Sequence, residues 1–109
     1  MDKPNYLKNY RPILFYFRDS YNLKVSDIEF LFFVYDLKYF TYSYVEKNYR
    51  SSRTFVDKNI PVIYSKGYLS IYQEKAKYRA RKYTISQKGK LLVSRFYRLL
   101  ENKDSLWKY

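Results

Sequence analysis

Two glycines in 109 residues, Gly67 and Gly89, are what most constrains this chain. Glycine is the residue that turns a chain most freely through positive φ, so few places remain for sharp reversals and the stretches between must run as continuous elements. Before Gly67, apolar residues recur at steps of three and four: Ile28, Leu31, Phe32, Tyr35 and Tyr39, then Val56, Ile60 and Ile63. After it the pattern changes to alternation over 68–72 and again over 77–85, with 73–76 as the connecting turn of a hairpin. Lys66-Gly67 therefore reads as the C-cap of one helix. Helical spacing returns with Leu92, Phe96 and Leu99, flanked by Val93, Tyr97 and Leu100.

Polar residues set the expected helix starts. Pro12, tolerated in a first turn, opens a helix of the 9–21 segment. Ser26 with Glu29 and Ser43 with Glu46 each read as a capping box, in which the serine caps and the acid reaches back to the serine amide. Ser51 or Ser52 caps a fourth helix from Arg53, and Ser86 caps a last helix over 87–102. Pro61 interrupts the fourth helix, because it has no N–H for the Asp57 carbonyl and its ring crowds that carbonyl, at about 3 kcal/mol in a regular helix. The sequence leaves two arrangements open: a kink at Pro61, or an end near Asn59 and a restart with Pro61 in first position. The expected order is helix, helix, short helix, helix, hairpin, helix, in one domain over 1–109.

Composition excludes several classes of chemistry. With no cysteine and no histidine there are no disulfides, no thiolate or imidazole metal ligands, and no Ser-His or Cys-His catalytic pair. The ten acidic residues show no spacing that marks a metal site or an acid/base pair, so the chain reads as a non-enzyme without metal or cofactor. No secretory signal is evident in 1–18. The longest apolar stretch, 30–40, carries Asp36 and Lys38 and is about half of the ~20 residues a spanning helix needs. A soluble, cytoplasmic protein is expected.

The net charge of +12 could reflect coding drift toward lysine and tyrosine, which would spread it evenly. It is concentrated instead: residues 46–98 hold 14 basic and 3 acidic side chains, whereas 1–45 hold 6 and 5. Such an asymmetry points to an anionic partner. In the hairpin, a continuous strand would project Lys75, Lys77, Arg79 and Arg81 to one face, where they repel unless an anion neutralises them. Tyr78 between them is placed for a base or sugar contact. On the fourth helix and its approach, Arg50, Ser52, Arg53, Thr54 and Lys58 suit phosphate and base-edge contacts. Taken blandly, the hairpin charges only keep a tip soluble and Ser52 only caps.

From Ser26 to Glu101, about 70% of the chain, the sequence resembles the MarR family of regulators. Lys66-Gly67-Tyr68-Leu69 is similar to the Gly-Leu-Val-type turn that closes that family's recognition helix. Tyr83-Thr84-Ile85-Ser86-Gln87-Lys88-Gly89 is similar to the Leu-Thr-x-x-Gly-type turn that opens its last helix, and the 18 positions from Gly67 to Ile85 match the usual hairpin. The resemblance implies a mainly α fold with a small β-hairpin, a winged helix-turn-helix of about five helices and a two- or three-stranded wing. It implies that residues 53–65 enter the major groove of duplex DNA and that Arg79 reaches the minor groove. Lys77 stands where the family usually has an acid bracing that arginine, Pro61 interrupts a helix that is normally continuous, and no counterpart of the family's last dimerisation helix is expected within 1–109.

Apolar residues at the two ends look too many for one small core, which suggests a homodimer seam of Ile13, Leu14, Phe17, Val93, Tyr97, Leu100 and Trp107. The resemblance also implies room for a small aromatic effector beside such a seam. The expected function is a dimeric, DNA-binding transcriptional regulator. A protein-interaction or structural component of phage or plasmid type is the alternative, and a single-strand binder that stacks bases on its tyrosines is a third reading.

Overall fold

The computed structural model describes residues 6–49 and 53–101, with side chains from Tyr10 onward. The elements in order are α1 (Tyr6–Tyr21), α2 (Val25–Val34), α3 (Tyr42–Asn48), a π-helical turn (Phe55–Asn59) leading into α4 (Ile60–Ser65), β1 (Leu69–Gln73), β2 (Lys82–Ile85) and α5 (Gln87–Leu100). The chain is thus mainly helical with a two-stranded antiparallel sheet, in the expected order. Among the described residues no helix is long and apolar enough to cross a membrane, and no cluster of carboxylates is placed to hold a metal ion.

The core is aromatic. Phe17, Phe30, Phe40 and Phe96 are fully buried, and Ile28, Leu31, Val34, Val45, Val56, Ile60, Ile63, Leu92 and Val93 fill the space between them. Phe96 of α5 meets the edges of Phe17 and Tyr10 from α1 and Phe32 from α2, which ties three helices at one point. Ile13, Leu14, Phe17, Val93 and Leu100 are consequently buried within the single chain. The surplus expected for a dimer seam does not exist at these five positions, because α1 and α5 cover each other; Tyr97 alone of the described set is exposed, and Trp107 lies outside the described residues.

Tertiary contacts move the helix starts away from the local signals. α1 begins six residues before Pro12, held by Tyr10, whose hydroxyl donates to Glu29 (3.0 Å) and whose ring packs on Phe96. Glu29 is thereby committed elsewhere, and the box at Ser26 does not form; Lys24, in extended conformation, is the N-cap of α2. Thr41 rather than Ser43 caps α3, accepting from the Tyr44 amide (3.1 Å). It is the first residue after Phe40, which is bridged to Tyr83 and leaves the chain extended at the capping position. α2 ends at Val34, so Tyr39 lies beyond it and is exposed.

Both long turns are Schellman closures. The Tyr68 amide donates to Ile63 and that of Gly67 to Tyr64, with Gly67 at φ 89°. At the end of α1 the Leu23 amide donates to Arg18, with Asn22 at φ 54° in the glycine role. Ser86 then pins α5 to the first of these turns. Its hydroxyl accepts from the Gly89 amide (3.2 Å) and donates to the Gly67 carbonyl (2.6 Å), and its own amide donates to Tyr68. A Cβ on Gly89 would stand 2.5 Å from the Tyr68 carbonyl oxygen, so this packing needs glycine.

Of the two arrangements left open at Pro61, the structure is close to the second: the π-turn ends at Asn59 and α4 restarts at Ile60 with Pro61 in its first turn. Helical structure runs from 53 to 65, and the Ile60 amide donates five residues back to Phe55. Pro61 thus sits in the first turn of α4, the place in a helix where a missing amide is best tolerated.

Candidate nucleic-acid interface

The base of the hairpin is fixed by rings. Phe40 and Tyr83 exchange backbone hydrogen bonds (2.8 Å each) and stack, Tyr42 also lies flat against Tyr83 at 5.4 Å, and the Tyr83 hydroxyl donates to that of Tyr42 (3.3 Å). Burial, and then the neighbouring Tyr83, pushes the Tyr42 hydroxyl well above the ordinary tyrosine range. On the outer face Tyr39 stacks on Tyr72 at 5.1 Å, with the Lys82 ammonium 4.4 Å from the Tyr39 ring.

Pairing then breaks down. The register passes from Ile71↔Tyr83 to Gln73↔Lys82 with an irregularity at Tyr72, and β2 begins only at Lys82. Residues 77–81, expected in the returning strand, belong with 74–76 to a loop of eight. The alternation of Lys77, Arg79 and Arg81 with Tyr78 and Ala80 has no buried face to hold it straight, and a strand that buries neither face gains nothing from pairing except hydrogen bonds. Within the loop the Ala76 and Arg79 amides and carbonyls pair (3.0 and 3.1 Å) around a two-residue tip, Lys77-Tyr78.

The expected row of four cations is therefore replaced by a tip and a brace. Arg81 donates to Glu74 at 2.7 Å across the loop's mouth, where the Lys75 amide also donates to the same carboxylate oxygen. That amide, and then Arg81, hold Glu74 below the usual carboxylate range. Lys75, Lys77 and Arg79 are exposed and pair with no described carboxylate, and Tyr78 is 88% exposed under the Lys77 ammonium.

No family model, curated protein or solved structure matches the chain.

The likeness to MarR-type regulators accordingly stands on residues 66–69 and 83–89 alone. Of the candidates on the fourth helix, Arg50 and Ser52 lie outside the described residues. Arg53 is exposed but held by Glu46 (3.2 Å) and Asp57 (3.4 Å), so much of its charge is answered locally, and it links α3 to the π-turn. Thr54 and Lys58 line a groove of about 770 Å³ together with Val62 and Lys66, Arg18, Asn22 and Lys24. The stride of four through 54, 58, 62 and 66 was readable in the sequence; the approach of Arg18 and Lys24 from α1 and the α1–α2 turn was not.

Proposed function

We propose that this chain is a winged-helix, MarR-like module that binds duplex DNA. In this reading the helical segment 53–65 lies in the major groove and the loop 74–81 tracks the adjacent minor groove. The observation that carries it is the loop: three exposed cations without a described acidic partner, beside an exposed tyrosine, on a hairpin whose base is rigidly packed. A solvated tip needs charge for solubility, but it does not need an internal brace that neutralises one arginine and leaves the others facing outward. If two copies pair to present two loops, exposed Phe15, Tyr16, Leu91 and Tyr97 are what α1 and α5 offer for the contact among the described residues.

The test is the Lys75→Ala/Lys77→Ala/Arg79→Ala variant, measured by fluorescence anisotropy on a labelled palindromic duplex and on a scrambled one. Loss of three phosphate contacts should flatten the slope of log affinity against log salt by roughly 2.7 and weaken binding to both duplexes. An unchanged slope sinks the assignment of the loop. Oligo-dT preferred over duplex, with dependence on Tyr78, would support the single-strand reading. Salt-independent capture of a protein partner would support the interaction module.

A further inference from the structure

The groove along residues 54, 58, 62 and 66 shares no residue with the loop. Its walls come from three places: the end of α1 with Arg18 and Asp19, the turn with Asn22 and Lys24, and the face of the π-turn and α4 with Thr54, Lys58 and Lys66. Two carboxylates line it as well, each with one partner. Asp19 is bonded to Arg18 (3.0 Å), and Asp27, 2% exposed on the floor, accepts from the Asn59 side chain (3.3 Å). Lys66 reaches the Asn22 carbonyl (2.7 Å), which spans the groove at one end and fixes its width. Lys24 and Lys58 have no described acidic partner, although both border a cleft in which two carboxylates are at hand. Lys58 and Asn59 of this wall belong to the π-turn, and such turns recur at functional sites.

We infer that this groove is a second anion seat, one that receives consecutive phosphates of a nucleic-acid strand between Lys24 and Lys58, with the Thr54 hydroxyl as a further donor. The inference rests on the duplex-binding reading and adds a contact from the α1–α2 turn to those of the loop and the fourth helix. The groove is bordered by Arg18, Lys24, Lys58 and Lys66, cations drawn from two sides, which suits a phosphate backbone running between them.

The experiment compares wild type, the loop triple variant and Lys24→Ala/Lys58→Ala by anisotropy on one labelled duplex from low to moderate salt, with thermal melts as the folding control. Both lysines are exposed, so the double variant should melt with wild type. The seat predicts that the double variant loses close to 2 from the salt slope, at about 0.9 per phosphate, independently of the loop. If the loop variant loses slope and the groove variant does not, the groove inference falls while duplex binding stands. If wild type itself fails to bind duplex, both fall. A parallel titration with inorganic phosphate, read on the Lys24 and Thr54 amides by NMR, separates the two phosphate sources. Saturating shifts there, with an unchanged duplex slope in the double variant, would make this a seat for free phosphate and overturn the strand assignment.

Discussion

The base of the hairpin is built of five stacked rings, Tyr39, Phe40, Tyr42, Tyr72 and Tyr83, whereas its far end carries four cations, two alanines, an acid and one solvent-facing tyrosine. The base is held by burial, which is non-directional and grows with area. The tip is held by a two-residue turn and one exposed ion pair, of a kind generally worth between nothing and about 1 kcal/mol. The difference teaches that stability and charge display are separated along one short ribbon. Changes at the base should be felt by the whole fold and changes at the tip only by a ligand.

The largest effect is expected at Phe40. Phe40→Ala empties a fully buried ring site between Phe30 and Tyr83 and should lower stability by about 3–5 kcal/mol in chemical denaturation. A loss below 1 kcal/mol would break the comparison at its strong end. Gly89→Ala, which drives a methyl against the Tyr68 carbonyl and Ile85, should cost about 1–3 kcal/mol in the same assay.

Smaller effects separate base from tip by pH. Tyr42 is raised in the folded chain, so its contribution is complete below the ordinary pKa of 10.0 and is lost as pH climbs through the higher folded value. Alkaline unfolding should steepen above pH 10, and Tyr42→Phe should remove that part of the dependence. Glu74 is shifted the other way: its brace is complete above the ordinary 4.5 and is lost as pH falls through the lowered folded value. Acid should therefore release the loop without unfolding the chain, seen as titrating NMR shifts at Lys75 and Arg81 that vanish in Glu74→Gln.

The sequence carried the outline of this fold well where a local signal coincided with a tertiary need. Gly67 ends its helix in the left-handed conformation its position demanded, and Ser86 caps α5 because the same serine also holds the Gly67 carbonyl. It misled where a distant contact took the residue a local motif required, as when Glu29 turned to Tyr10. The strand drawn through 77–81 failed for a different reason: charges that alternate with alanine look periodic, but periodicity only builds a strand when one face has a core to meet. Ile13, Leu14, Phe17, Val93 and Leu100 were legible as apolar and not as paired, because the mutual cover of α1 and α5 is a fact of topology. Of the candidate interface, the exposed loop was legible; the Glu74–Arg81 brace and the cleft beside Lys24 were not.

The most direct test of the central claim is an amide chemical-shift titration of the full chain with a short duplex at low salt. Binding through the exposed cations of the loop predicts the largest perturbations at residues 75–81, with a second set at 53–58 and little change at the Phe40–Tyr83 bridge. Perturbations confined to α1 and α5, or none at duplex concentrations well above the protein's, would contradict it.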